Sequence, residues 1–551
     1  MKKILAMIIA MIFALGLAAC GNGAVTDGTA SSANEIAEPA VDSDISAQEA
    51  TGTFEMTSAD GTFSNSGNVY TITSAGTYTA TGLLEGQILV DAGEDDEVVI
   101  ELSGATVSYG ADSPIKIVSA GSVDISAKKG TENVINDTRS AKTTDDADQG
   151  EGAICAKCDL KIKGNGTLVV NAGYNNGIHT TDDLKIQNLA LKVTAYNNAL
   201  KGNDSVKITS GTVVAISTNG DGVKTENTDV SKNGVTRGDI VITGGTVTVY
   251  AAGDGFQAAR NFELSAGEEG AAPTVTVYTG SYSGYTASNA STTSYKGVKV
   301  QNELNIKDGA ITLHTYDDGL HADYGASFED GTKGKGTINV SGGTVNMSVY
   351  APENKTAGGR QGPDGRGGWG GQQTVSGADA IHADNILNIS GGTITVDSAY
   401  EGLEANVINV SGGKTVVAAN DDGVNACKGV STPSVNVTGG YLDVTVSPNG
   451  DTDGIDSNGT YNQTGGVVIT RGPNNQNMAA IDADGSISIS GGTLIVLGYG
   501  RISASGGVKN YSLSLHSAGS HTVNIDGVAY TFTNANAYGS TACYSDVTVS
   551  A

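Results

Sequence analysis

The chain has 551 residues, of which 78 are Gly and only 8 are Pro, about twice the usual share of glycine without the proline of collagen or of a Pro-rich disordered chain. With 31 Lys and Arg against 59 Asp and Glu the net charge is −28, which argues against a nucleic-acid or anionic-membrane partner and suits bound cations. Length alone suggests roughly three or four domains of ~150 residues, unless one unit repeats along the chain.

Met1-Lys2-Lys3, an apolar run over residues 4–17 and Ala18-Ala19-Cys20 predict a secretory signal peptide over 1–19, too short to span a membrane convincingly. Leu17-Ala18-Ala19-Cys20 resembles the lipobox of bacterial lipoproteins. That resemblance implies lipidation at Cys20 and anchoring on the extracellular face of the bacterial cell membrane. Residues 20–52 carry acids but no Lys or Arg, the composition of a disordered tether. The spacing of Cys155, Cys158, Cys427 and Cys543 allows no disulfide framework to be inferred, and Cys155-x-x-Cys158 lacks the second ligand pair of a zinc site.

From residue 53 one phrase recurs: apolar alternation, a Gly-Gly turn, a second alternation, an acid-Gly turn and a short apolar strand. Ile389-Ser390-Gly391-Gly392-Thr393-Ile394 leads to Tyr400-Glu401-Gly402-Leu403-Glu404-Ala405, and Val410-Ser411-Gly412-Gly413 leads to Asp421-Asp422-Gly423-Val424-Asn425-Ala426. The apolar residues after the acid-Gly turns are Ile154, Ile178, Leu200, Val223, Phe256, Val298, Leu320, Ile381, Leu403, Val424, Ile455 and Ile481, with shortest spacings of 21–24 residues. Units of this length with β-branched strands and Gly turns predict an all-β parallel β-helix. N-terminal coils are expected over 53–150 and the main β-helix over 151–510, with insertions near 280–294 and 351–377. The divergent 511–551 is expected to be a C-terminal cap, since exposed end coils would aggregate.

Equivalent residues of successive coils stack about 5 Å apart. The turn column then gathers Asp317-Asp318, Asp379, Glu401 and Asp421-Asp422, with Asp323, Asp384 and Glu404 on the strand that follows. Like charges at that spacing repel by about 1 kcal/mol per pair even in water, so Ca²⁺ is the expected cofactor at these nine acids; singly, each Asp-Gly is also an ordinary turn dipeptide. His321 and His382 share a register and read as a transition-metal pair, as acid/base groups or, the favoured reading, as exposed polar residues of a repeat, where they join the carbohydrate-binding candidates Lys201, Lys224, Lys299 and Trp369. Lys201, Lys224 and Lys299 point outward in the more N-terminal coils, either as a rail for an acidic sugar or as a solvated face. Trp369, with Tyr282, Tyr285 and Tyr295, stands on insertions where aromatics can stack on sugar rings.

The motif train Thr315-Tyr316-Asp317-Asp318-Gly319-Leu320-His321-Ala322-Asp323, then Ala399 to Ala405, then Asn420 to Ala426, resembles the clostridial carbohydrate-binding β-helix lipoproteins. Gly76-Thr77-Tyr78 and Gly130-Thr131-Glu132-Asn133 resemble that family's opening coils. The resemblance implies a right-handed, pectate-lyase-like β-helix that carries Ca²⁺ and binds polysaccharide such as cellulose or polygalacturonate. A more distant resemblance to polysaccharide lyase family 9 implies a lyase alternative with Lys224 (or Lys201) as base. Against it, the acid cluster lies C-terminal to Lys224 and Asp323 falls one outward position late. A non-binding surface spacer or adhesin is the third alternative. A monomer is expected in each case.

Overall fold

The computed structural model describes residues 45–144, 149–268, 270–280, 294–350, 378–448, 452–473, 479–498 and 507–551. The signal peptide, Cys20, the insertion at 351–377 with Trp369, and Tyr282 and Tyr285 lie outside these residues.

The described residues contain no helix and form a parallel β-helix with three sheets. In the first sheet each predicted anchor pairs with the next: Ile154 with Ile178, Ile178 with Leu200, Leu320 with Ile381, Ile381 with Leu403 and Leu403 with Val424. Leu320 and Ile381 are consecutive coils although 351–377 falls between them. Two further strands, Val69–Ile72 and Gln87–Asp91, continue this sheet below Ile115–Ser119. The second and third sheets stack likewise, as in Asp183–Gln187 on Asp159–Gly164 and Ala190–Ala195 on Thr167–Ala172.

Alternation explains the core. Inward Ile, Val and Leu at anchors such as Ile178, Leu200 and Leu320 are fully buried, and backbone groups pair from coil to coil. The Gly-Gly turns join the second sheet to the third. Gly392 has φ 76° there, and a Cβ on it would come within 2.6 Å of the Gly342 carbonyl oxygen, so only glycine fits. On the outer face of the second sheet, Asn305, Asn339, Asn388, Asn409, Asn436 and Asn462 form a ladder, each Nδ2 donating to the preceding Oδ1 at 2.9–3.1 Å.

Both ends are closed by antiparallel strands. Glu55–Ser58 runs antiparallel to part of Gly76–Glu85, and Phe63–Ser66 to Val69–Ile72, with Phe54, Phe63, Tyr70 and Tyr78 packed over the first coils. At the other end Thr541–Ser545 pairs antiparallel with Thr493 to Leu497 and with Lys509–Tyr511. Gly519–Ile525, Val528–Asn534 and Val549–Ser550 form a separate small sheet, and Leu515, Val523, Phe532 and Cys543 share a second core with Ile469, Ile495 and Leu497. Buried Arg471 ties this cap down, donating to Asp443 Oδ1 at 2.5 Å and Asn534 Oδ1 at 3.0 Å.

Residues 45–52, expected to belong to the tether, pack against the β-helix instead. Ile45 is buried on the third sheet against Val214, Ile216 and Tyr250, and Gln48 and Ala50 donate backbone N–H groups to Glu132 and Thr106. An apolar stripe on that sheet offers burial that composition alone does not reveal. Cys155, Cys158, Cys427 and Cys543 are free thiols.

Candidate functional site

The turn column before the first sheet runs along the molecule as buried polar side chains, each bonded to the next coil. Asn198 Nδ2 donates to Asn176 Oδ1 at 2.8 Å, and the Asp221 N–H to Asn198 Oδ1 at 3.0 Å. The Asp254 N–H donates to Asp221 Oδ1 at 2.9 Å, the Asp379 N–H to Asp318 Oδ1 at 2.9 Å and the Asp453 N–H to Asp422 Oδ1 at 2.8 Å. One carboxylate oxygen of Asp221, Asp318 and Asp422 is therefore part of the coil-to-coil hydrogen bonding. The other oxygen of Asp221 meets Lys224, and that of Asp318 meets Lys296.

Between Asp254 and Asp318 the same column carries Lys296, which sequence reasoning passed over although it stands two residues before the Val298 anchor. Its Nζ lies 2.9 Å from Asp317 and 2.8 Å from Asp318. Burial opposes that charge, but the two carboxylates outweigh it and raise the Lys296 pKa. The repulsion between Asp317 and Asp318 thus already has an internal counter-ion.

His321 and His382 stack with centroids 4.8 Å apart and planes 15° apart. Each imidazole lies between two carboxylates of its own coil. His321 Nδ1 is 2.8 Å from Asp318 Oδ2, and its Nε2 is 2.9 Å from Asp323 Oδ1. His382 Nδ1 is 2.9 Å from Asp379 Oδ2, and its Nε2 is 3.2 Å from Asp384 Oδ1. Glu404 Oε2, from the next coil, stands 3.4 Å from His382 Nδ1. Burial disfavours charge on both rings, but the surrounding carboxylates prevail and raise both pKa values, His382 well above the ordinary one. Burial likewise pushes Asp318 up, yet the His321 hydrogen bond and Lys296 hold it low. Glu404 is held at about 2 by His382 against its burial. Both histidines lie deeper than the exposed surface residues expected.

Past Glu404 the compensation stops. Burial, reinforced by Asp379, Glu404 and Asp422, pushes Glu401 well above the carboxylate range, while Asn425 Nδ2 donates to its Oε2 at 2.8 Å. Burial and the charge of Asp421 push Asp422 up to about 8. One coil on, Asp453, Asp456 and Asp482 bring carboxylate oxygens within 4.8 Å of one another. These three extend the turn and outward columns past the nine acids singled out in the sequence. Their donors are all oxygen, the set Ca²⁺ takes, whereas Asp318, Asp379 and Glu404 share their space with imidazole nitrogen.

Toward the N-terminus the outward column of the first sheet runs His179, Lys201, Lys224, Gln257, Lys299, His321 and His382 in unbroken register. Lys201 pairs with Glu226 at 2.6 Å and Lys224 with Asp221 at 3.0 Å. To act as the base of the lyase alternative, either lysine would first have to leave its carboxylate partner. Lys299 is half-buried and makes no ion pair among the described residues. It lines a shallow groove with Lys224, Glu226, Gln257 and Gln301. Beside it Gln257 Oε1 is buried and has no hydrogen-bond partner among the described residues. Tyr295, expected on an exposed insertion, is instead 2% exposed, so its ring is not a sugar platform.

A protein from Acetivibrio thermocellus described as a carbohydrate-binding domain-containing protein is 44% identical over 117 residues, 21% of this chain and 41% of that protein. The chain thus spans less than half the length of that relative. The solved structure of the polysaccharide lyase-like protein from C. thermocellum, a gadolinium derivative, is 36% identical with a TM-score of 0.37, over 45% of this chain and 90% of that one. The family described as carbohydrate-binding domain-containing protein matches residues 66–348, more than half of the 551 residues, and the chain belongs to that family.

Proposed function

We propose that this protein binds an acidic polysaccharide, such as polygalacturonate, along the outward face of the first sheet, and that Ca²⁺ is held at the all-oxygen end of the acid columns. In this reading Cys20 anchors the solenoid to the outer face of the cell membrane. The observation that carries it is the groove of Lys224, Gln257, Lys299 and Gln301. It offers an ammonium that makes no ion pair among the described residues. A uronate residue supplies a carboxylate for Lys299. Cellulose supplies no such charge and is the weaker ligand on this face.

The test is retardation in gels containing polygalacturonate, beside pull-down on insoluble cellulose, with wild type and Lys299→Ala. Retardation by polygalacturonate that Lys299→Ala weakens about tenfold supports the proposal. Equal retention on cellulose by both proteins would move the site off this groove, and retention on neither would leave the spacer alternative.

A further inference from the structure

We propose that Asp379, His382 and Glu404 form a site for a first-row transition-metal dication of the Zn²⁺ class, distinct from the all-oxygen set at Asp453, Asp456 and Asp482. The proposal does not depend on the glycan reading.

The geometry around His382 carries it. One nitrogen, Nε2, faces Asp384 Oδ1 at 3.2 Å on the more exposed side. The other, Nδ1, faces Asp379 Oδ2 at 2.9 Å and Glu404 Oε2 at 3.4 Å on the buried side. Metal-bound histidines usually donate their second ring N–H to a carboxylate, which fixes the tautomer and raises ligand basicity. Asp384 stands where that partner belongs. With Nε2–H donated outward, the Nδ1 lone pair converges with two carboxyl groups, and three such acceptors stay together only around a shared proton or a cation. A metal ion can take the place of that proton.

The spacing and the donors favour the metal. At bond lengths of about 2.0–2.1 Å, tetrahedral ligands of zinc stand roughly 3.3 Å from one another, close to the 2.9 and 3.4 Å seen from Nδ1. Asp379 is fixed by its coil, its backbone N–H donating to Asp318 Oδ1, and stacking on His321 fixes the imidazole plane. One imidazole with two carboxylates suits Zn²⁺, Co²⁺ or Mn²⁺, whereas Ca²⁺ prefers six to eight oxygens. On the Nδ1 side the Glu404 side chain is 19% exposed, which gives an ion a path in. The coil below repeats the design with Asp318, His321 and Asp323, and Asp318, His321 and His382 also have donor atoms within 4.8 Å of one another. There Lys296 already occupies the Asp318 carboxylate, so the Glu404 side is where an ion fits.

Chelator-treated, tag-free protein titrated with Co²⁺ tests this, with the visible d–d absorption and Zn²⁺ calorimetry as readouts. A d–d band that survives excess Ca²⁺ is expected. His382→Gln should abolish the band and weaken Zn²⁺ binding by about a hundredfold, and Asp384→Asn, which leaves all three ligands, by about tenfold. The melting temperature of each variant in chelator shows that it is folded. The proposal is overturned if wild type shows neither band nor heat, if equimolar Ca²⁺ displaces Co²⁺, or if both folded variants bind as wild type does. Any of these would leave His382 as a protonated ring paired with its carboxylates.

Discussion

Lys299 stands one coil beyond Gln257 in the same register position of the first sheet, so an ammonium with no ion pair among the described residues lines the groove beside Gln257. This relationship makes a prediction about salt. Binding through Lys299 is a charge contact near the surface, where screening sets in over about 10 Å at 0.1 M salt. Polygalacturonate affinity should therefore fall as salt rises in wild type and fall less steeply in Lys299→Ala. Gln257→Leu should leave the slope unchanged, because it removes no charge. Parallel salt slopes for wild type and Lys299→Ala would place the charge contact elsewhere.

The asparagine ladder predicts a stability cost for a side chain with no place in the glycan site. Asn409 donates to Asn388 and accepts from Asn436. Asn409→Ala removes both bonds and leaves a donor and an acceptor unpaired, a loss of about 1–2 kcal/mol. Asn409→Asp keeps the acceptor but loses the donor and sets a charge against Asn388 Oδ1, so it should be no better. A urea midpoint for Asn409→Ala equal to that of wild type would show that solvent replaces these bonds without cost.

A third prediction concerns acid. Burial, with the nearby charge of Lys201, lowers the His179 pKa from 6.5 to about 4. Between those values the unfolded chain binds a proton that the folded chain excludes, so stability rises with pH across the window and is lost as pH falls through it. The full difference is about 3 kcal/mol. His179→Gln should remove this component, so its urea midpoint should change less than that of wild type between pH 7 and pH 4.5. An unchanged difference would mean that His179 is protonated in the folded state as well.

The coil register was legible in the sequence because its causes are local. The Gly-Gly turns demand left-handed backbone, as at Gly392, and strict alternation leaves one inward choice for residues such as Leu320 and Ile381. The acid columns were legible for the same reason, since stacking follows from register. Their compensation was not. Lys296 enters the column in a coil whose anchor lies 42 residues after Phe256, and the clamps on His321 and His382 depend on side-chain reach between coils. The docking of Ile45 on Tyr250 joins segments about two hundred residues apart, a contact that carries no local signal. The Asn ladder was visible as a recurring residue but not as a bonded one.

The acid columns yield the last prediction, and the structure narrows where it should be read. Asp318 has its second oxygen engaged by Lys296 and His321, so a calcium ion gains little there. Asp422, at about 8 through burial and Asp421, shares a column with Asp453, whose backbone it holds. Asp453, Asp456 and Asp482 converge without an imidazole. Ca²⁺ bound at that end of the columns would replace the protons that burial and repulsion otherwise impose. Binding only the folded chain, it would stabilise by about 2.7 kcal/mol at a hundredfold excess over its dissociation constant. We expect Ca²⁺ to raise the melting temperature of wild type and of Asp318→Asn alike, and to have little effect on Asp456→Asn or Asp422→Asn. Because Asn retains the oxygen that accepts the next backbone N–H, these variants separate the loss of a ligand from the loss of a coil contact. A calcium-dependent rise that Asp318→Asn abolishes and Asp456→Asn preserves would return the ion to the histidine coils, and no rise in wild type would remove it from the protein.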